Sequence, residues 1–435
     1  MDFIYGPDEI PPKNYMISSG IQWAAVLLSY VVIIGTVVAG LQFTDFSEQV
    51  YYVQKLLLLT AFAVIIQVFA GHRLPAIFGP ATVLLIGIIS SQSFSTDSVY
   101  TAIVIGGILG VILGATGLLS YIARFFTKRV VAVVLMLIVF TMIPTLTGLL
   151  TSAGEGANPL DSVLFAFILM LIIYAANRCL KGFFKTTLLL WVIIFGTAAY
   201  ILLFPYEFSV VSSVPAGGFF TGFIGSFVIE PGVILSFIIC YFALIINDIG
   251  SIQGVAEVVK PKPVKETGKG LRGRIKRGIV ATGIVNIISG LCGVIGGVNY
   301  STSAGIILDS RCASRWTLIP AAVILIAIGL IPQAASFICG IPLVVIGCLL
   351  IYVLAAQFSA SMHVFFGSQK KGEFDFDPGI IVGLPVIIEA IASALPRYIP
   401  DEFPLFLQPV LANGFVMGVI TVLIMEHVIY RKREE

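Results

Sequence analysis

Two groups of small polar side chains have the residue types and the spacing to bind a solute. The first is Asn247 and Ser251, four residues apart in ALIINDIGSIQGVAEVV. At about 100° per residue, Ser236, Cys240, Ala243, Asn247, Ser251 and Gly254 share a sector about 80° wide. The rest of that segment is Ile, Leu, Phe and Val. An amide and a hydroxyl on such a stripe can donate to and accept from a solute. Small residues packing against a neighbouring helix are the plain alternative, and the stripe alone leaves both open. Asp248 lies about 100° from the stripe centre. An ionisable group inside an apolar segment points to function, here as a proton carrier. A structural partner for the neighbouring bundle is the alternative. The second group lies in GGVNYSTSAGIILDSRCASR, Gly296–Arg315, where Asn299, Ser301, Thr302 and Ser303 are interleaved with glycine. A half-helix beginning near Ser303 would aim its N-terminal N–H groups at whatever occupies the adjacent space. Asp309 stands close to Arg311 and Arg315, so a local ion pair is expected there.

The elements that must position these groups are membrane segments. Of 435 residues, 58% are hydrophobic and 11% charged, against about 25% charged in soluble globular proteins. The soluble-enzyme class is thereby excluded. The net charge of +2 gives no footprint for nucleic acid. Six scattered cysteines, no CxxC and three histidines suggest neither a metal site nor a disulfide framework. No nucleophile elbow, P-loop or redox motif is present; GGVNYSTSAG lacks the lysine of a P-loop. No enzymatic activity and no cofactor are expected. The opening MDFIYGPDEIPPKN has no basic n-region or cleavage site, and a cytoplasmic tail is expected there.

Apolar runs fall at 19–42, 51–71, 75–91, 99–121, 129–150, 160–177, 185–204, 231–258, 277–296, 298–314, 316–334, 341–363, 378–396 and 408–430, fourteen in all. Lys and Arg prefer cytoplasmic loops. With the N-terminus inside, Arg124, Lys128, Arg129, Arg178, Lys181, Lys185, the Lys260–Arg277 loop, Lys370, Lys371, Arg431 and Arg433 all fall inside. Asp45, Glu48, Asp97, Glu155, Asp401 and Glu402 fall outside. Both termini are therefore expected in the cytoplasm of an integral protein of the plasma (inner) membrane. The Lys260–Arg277 loop reads as a topology anchor and linker, with binding of anionic membrane lipid as the minor alternative. The 205–230 stretch, rich in Pro, Gly and aromatics, reads as an outer amphipathic helix and loop.

The third and tenth runs are short and interrupted. An odd offset of seven gives the two halves opposite orientation. Interrupted segments at corresponding positions of inverted repeats point to a midplane transport site. In LPAIFGPATVLLIGI, Pro80 cannot donate a backbone hydrogen bond and disfavours helix at Gly79. A short extended stretch followed by a half-helix from about Ala81 is expected.

These residues resemble the nucleobase–ascorbate transporter family, which includes the xanthine and uracil permeases. GIQWAAVLLSY resembles its first helix, NDIGSIQGVAEVV its eighth, NYSTSAGIILDSRCASR its tenth and FPLFLQPVLANGFVMGVI its last. The resemblance implies an all-α polytopic protein of fourteen segments in two inverted seven-segment repeats, with short antiparallel strands in segments 3 and 10. It implies a tail at 1–18, a core domain formed by 19–121 and 231–334, a gate domain formed by 122–230 and 335–430, and a tail at 431–435. It also implies a proton-coupled symporter of bases, with a possible homodimer. Carried over position by position, Asn247 stands where the family has a substrate-binding Glu, and Ser251 where it has Asp or His. Thr302 replaces its Glu or Gln, and Ser303 the following Asn. Tyr300 keeps the aromatic, and Gly305 the glycine. Ala81 and Thr82 align with its Ser-Phe, and Gln22 and Trp23 with its Gln-His. Asn247 can still donate and accept, but a charge-assisted carboxylate contact is gone. Asp248, one position along, is left as the candidate for proton coupling.

Three functions follow. The first is a secondary transporter of a purine or pyrimidine base by alternating access. The second is a transporter of the same architecture for another small polar or anionic solute, drawn to the two half-helix N-termini. Related sulfate-type transporters share such an architecture but usually carry a C-terminal cytoplasmic domain. Only residues 431–435 follow the last run here, an expectation that favours the base transporter. A channel ranks last, because no ring of repeated charges is present.

Overall fold

The computed structural model describes residues 3–122, 124–152, 158–206, 223–260, 270–367, 376–395 and 407–430. Most of the 205–230 stretch, residues 261–269, Glu155, Lys370, Lys371, Asp401, Glu402 and the 431–435 tail lie outside the described residues. The part of the expected Lys260–Arg277 loop from Gly270 onward is not loop but the first turns of a helix, Gly270–Leu291.

Helices dominate, as uninterrupted apolar sequence at membrane depth requires: only internal backbone hydrogen bonding satisfies every N–H and C=O there. The first stretch runs α1 (Lys13–Gln42), α2 (Phe46–Phe69), β1 (Phe78–Pro80), α3 (Thr82–Ser90), α4 (Thr96–Thr116) and α5 (Leu119–Ile122). Next come α6 (Lys128–Thr141), α7 (Ile143–Leu150), α8 (Pro159–Cys179), α9 (Phe183–Thr186) and α10 (Leu188–Leu203). The chain then forms α11 (Pro231–Val259), α12 (Gly270–Leu291), β2 (Gly297–Asn299), α13 (Ser303–Ser310), α14 (Leu318–Leu330) and α15 (Pro332–Cys339). It closes with α16 (Leu343–Gly367), α17 (Phe376–Ala394), α18 (Gln408–Leu411) and α19 (Gly414–Ile424).

Among the described residues, seven helices are long and apolar enough to cross a bilayer: α1, α2, α4, the α6–α7 stretch, α8, α11 and α16. An eighth span results if Arg315–Leu330 and Pro332–Cys339, bent by 88°, are taken together. The bend has a local cause. Pro332 disfavours helix at the preceding residue, and Ile331 is extended at φ −100°, ψ 104°. Leu188–Leu203, Gly379–Ala394 and Gly414–Ile429 are shorter apolar helices.

The third and tenth runs adopt the expected form of a short strand followed by a half-helix. The strands pair antiparallel, Phe78 opposite Asn299, Gly79 opposite Val298 and Pro80 opposite Gly297. Antiparallel pairing sends α3 and α13 away from the ribbon at opposite ends. Their N-termini are left beside the strands, in the middle of the bundle.

Close approach of helices holds the ribbon's supports together. Packing between apolar helices in lipid depends on small residues that let backbones meet. α4 and α12 meet at Gly107 and Gly283. A Cβ at Gly107 would lie 2.8 Å from Ile287 N, and one at Gly283 would lie 2.8 Å from Gly107 O. Opposing backbone cannot give way as a flexible side chain can. Gly107→Val is therefore expected to cost about 1–3 kcal/mol through overpacking. It should lower the melting temperature of the detergent-purified protein; an unchanged melt would contradict this packing.

Candidate functional site

The half-helix N-termini open onto a cavity of about 250 Å³. One wall is Tyr30 from α1, Ala81, Thr82 and Val83 at the start of α3, and Leu244 and Asn247 from α11. Val298, Tyr300, Ser301 and Thr302 extend this wall from β2 to the start of α13. The facing wall is Leu135 and Ile138 from α6 and Val353, Ala356, Gln357 and Ala360 from α16. No charged side chain lines it among the described residues. It offers neutral amides, hydroxyls and apolar walls. The first-turn N–H groups of α13 are already taken, Ser303 N by Tyr300 O at 3.3 Å, Ala304 N by Ser301 O at 3.1 Å and Gly305 N by Thr302 O at 3.1 Å.

Tyr300 organises the middle of this surface. Its ring stacks on Tyr30 at 4.2 Å between centroids and 27° between planes. Its hydroxyl donates to the Pro80 carbonyl on β1. Gly79 makes room for that ring: a Cβ there would lie 2.8 Å from Tyr300 Cε2. Ser303 Oγ donates to Tyr300 O at 2.6 Å and accepts from Ile77 N at 3.0 Å. These bonds tie the start of α13 to β1.

The sequence-chosen residues fall into two sets. Asn247, Tyr300, Thr302, Ala81 and Thr82 line the cavity. Ser303 is behind it, in the staple just described. Ser251 is 1% exposed, and its hydroxyl is buried with no hydrogen-bond partner among the described residues. Trp23 is buried, donating from Nε1 to Thr317 Oγ1 at 2.9 Å. Gln22 Nε2 donates to Thr186 Oγ1 at 2.5 Å. Tyr30 and Gln357 escaped the sequence reading. Their signal was a polar group inside an apolar run; Gln357 Nε2 donates to Leu135 O at 3.3 Å, leaving its oxygen open to accept.

Asp248 faces away from the cavity, as its helical angle implies. It is wholly buried behind β2. Its Oδ1 accepts from Asn299 N at 3.0 Å and Asn299 Nδ2 at 2.7 Å, and its Oδ2 from Thr282 Oγ1 at 2.8 Å. Gln67 Nε2 donates to Thr282 Oγ1 at 3.0 Å. His72, in the connection between α2 and β1, completes the network. Leu74 N donates to His72 Nδ1 at 2.9 Å, so the ring proton sits on Nε2 and is donated to Asn299 Oδ1 at 3.0 Å. Burial pushes the His72 pKa down to about 4, opposed by the Asn299 bond and reinforced by the charges of Arg274 and Arg315.

The far end of α13 is also held. Tyr15 Oη donates to Ser310 O at 3.2 Å. Ile4 N donates to Arg311 O at 2.9 Å, Ala313 N to Tyr5 O at 3.0 Å and Arg315 N to Pro7 O at 3.1 Å. Arg315 pairs with Asp8 at 3.1 Å. The ion pair expected of Asp309 is thus not formed among the described residues. Arg315 instead reaches the N-terminal strap, and Arg311 closes α13 in a left-handed turn.

The Xan_ur_permease model, described as a permease family, matches residues 15–398. This chain belongs to that family. Relatives include uric acid permease PucJ of Bacillus subtilis (strain 168), 25% identical over 86% of this chain and 84% of the relative. Nucleobase transporter PlUacP of Paenibacillus larvae is 23% identical over 97% of both chains. Xanthine permease XanQ of Escherichia coli (strain K12) is 21% identical over 77% of this chain and 73% of its own. Among solved structures, the transmembrane domain of the cyanobacterial bicarbonate transporter BicA is similar at TM-score 0.57 and 14% identity, covering 96% of this chain and 98% of that one. Murine Slc26a9 is similar at TM-score 0.61 and 12% identity, covering 98% and 70%. At those identities the likeness is one of fold. The permease is an integral membrane protein.

Two outcomes test the network. Asp248→Ala strands three buried donors at about 1–3 kcal/mol each, and should lower the melting temperature strongly; a melt equal to wild type would refute the role of these bonds. His72 titrates near 6.5 when unfolded and near 4 when folded, so the fold binds fewer protons between those values. Its stabilising effect is complete above about pH 6.5 and is lost as pH falls toward 4, by up to about 3 kcal/mol. His72→Gln should flatten the melting profile across that window; equal slopes in both proteins would count against it.

Proposed function

We propose that this permease carries a purine or pyrimidine base across the plasma membrane as a proton-coupled secondary transporter. The observation that carries the reading is the cavity where two half-helix N-termini meet, with neutral hydrogen-bonding groups and apolar walls but no charge. A planar base with alternating donors and acceptors suits such a surface, packing flat against the apolar wall while Asn247, Thr82, Thr302 and Gln357 bond its edge. Relatives named as uric acid, xanthine and nucleobase transporters, aligned over most of the chain, support the same class.

The proposed working parts are a core domain (19–121 and 231–334) and a gate domain (122–230 and 335–430), drawn from fourteen segments in two inverted repeats. Tails at 1–18 and 431–435 lie in the cytoplasm. Rocking of core against gate exposes the cavity to each side in turn. The cavity's two walls come from the two domains, so solute contacts change as they move. Proton coupling is assigned to Asp248, which touches the site through Asn299 and β2 and does not contact the solute. Anionic lipid at the basic inner loops and a homodimer complete the proposed assembly.

The second reading, an anionic solute, rests on the two helix N-termini and the lack of a carboxylate at Asn247. The absence of any basic side chain from the lining among the described residues argues for the neutral base.

A thermal-shift screen of bases against oxyanions decides between them. Xanthine or uric acid is expected to stabilise the purified permease, and Asn247→Ala and Thr302→Ala each to weaken binding about three- to tenfold, the loss of one neutral hydrogen bond. Stabilisation by oxyanions alone would overturn the base. For coupling, uptake into energised vesicles should fall on adding a protonophore, and persistence of full uptake would remove the proton.

A further inference from the structure

A second cavity of about 250 Å³ lies along the same seam, at the other end of α3. The central cavity touches the first turn of α3, whereas this one touches its last turn at Ile89 and Ser90. Thr82 and Ser90, at the two ends of α3, are eight residues and so about 12 Å apart along the helix, with Ile86 between them also lining the second cavity. Under the proposed topology the second cavity is at the outer face. Its lining is built of neutral polar groups: Gln92, Thr141, Thr145, Ser393, Gln408 and Asn413. No charged side chain lines it among the described residues. Glu389, 2% exposed, is held behind the wall, accepting from Ser393 Oγ at 3.4 Å.

A hydrogen-bonded latch closes the seam at this cavity. Asn413, the N-cap of α19, is 2% exposed. Its Nδ2 donates to Ser90 Oγ at 2.9 Å and to Ser236 Oγ at 3.0 Å. These bonds join α19 on one side to α3 and α11 on the other. Ser236 stands eleven residues before Asn247, on the same stripe of α11. The latch and the central site therefore share one face of one helix.

We propose that this outer cavity is a second, loading site for the transported base, which binds there before the Asn413 latch parts and admits it to the central cavity. The inference rests on the proposed base-transport reading. The chemistry of the two cavities is matched: equal volume, amide and hydroxyl groups that donate and accept, and no charge to favour an ion. Pockets for drug-sized ligands run roughly 300–1,000 Å³, so each of these suits a smaller solute. A site that takes the cargo at the mouth raises its local concentration at the closed seam without demanding tight binding.

The test is equilibrium dialysis of the full chain in lipid nanodiscs with radiolabelled xanthine and uric acid, each titrated to millimolar concentration. Two molecules per chain are expected for the wild type. Thr302→Ala should weaken one and leave the other. Thr145→Trp, which fills the outer cavity, should reduce the count to one while the central affinity is unchanged. Gln408→Ala, at a half-buried position that tolerates truncation, should weaken the second event about three- to tenfold and lower uptake equally at subsaturating base. A single event, lost in Thr302→Ala and indifferent to Thr145→Trp and Gln408→Ala, would overturn the loading site and leave the transport reading intact. No binding of either base to the wild type, with oxyanions bound instead, would overturn both.

Discussion

The carboxylate of Asp248 holding the edge of β2 is the interaction on which the site depends. A three-residue strand at membrane depth cannot stand alone, because its unpaired backbone groups have no water to turn to. Here one side of β2 pairs with β1, and the other is met by Asp248, which accepts both the backbone and the side-chain N–H of Asn299. Thr282, Gln67 and His72 then satisfy the remaining valences. The network joins α2, α11, α12 and β2 into one rigid unit. A buried charge is tolerated only when so fully bonded.

That arrangement explains why neighbouring residues of α11 do different work. Asn247 and Asp248 are consecutive, so about 100° of helix separates them. One faces the cavity and the other the back of β2. The carboxyl group is therefore kept off the cavity wall while remaining mechanically joined to it, since any shift in Asp248 is felt by Asn299 and by the Tyr300 ring beside it. A neutral surface supported by a charged scaffold can recognise a neutral solute without trapping an ion.

Much of this was legible in the sequence. Pro80 and Gly79 announced a short extended stretch and a half-helix, because proline's missing N–H and the constraint on Gly79 are local effects. The pairing of that stretch as a strand was implied only by the family resemblance. The stripe on α11 was legible because helical periodicity is local too. The limits came from long-range partners. Asn299 was visible only as one polar residue of the motif; that it bonds Asp248, 51 positions earlier, needs the fold. Ser303 and Thr302 are adjacent and alike in chemistry, yet one lines the cavity and the other is spent on Tyr300 O and Ile77 N. Gln22 and Trp23 took partners on α9 and at Thr317 that no spacing rule could supply. The ion pair assigned to Asp309 was displaced by Asp8, some 300 residues upstream of Arg315.

The strap formed by residues 4–15 bears on how α13 can move. A half-helix of eight residues has few internal hydrogen bonds, and its orientation is set by what holds its ends. Ser303 pins the start to β1, and Tyr15 takes the last carbonyl at Ser310. Backbone bonds from Ile4 to Arg311 and from Ala313 to Tyr5 continue the clamp past the helix. With both ends fixed to neighbours of α1, α13 moves with that side of the bundle and not independently of it. In the proposed transport cycle the movement falls at the seam, where contacts such as Asn413 to Ser90 and Gln22 to Thr186 are single hydrogen bonds. Each is worth about 0.5–1.5 kcal/mol, weak enough to break and remake as the two sides move, while the multiply bonded Asp248 network stays whole.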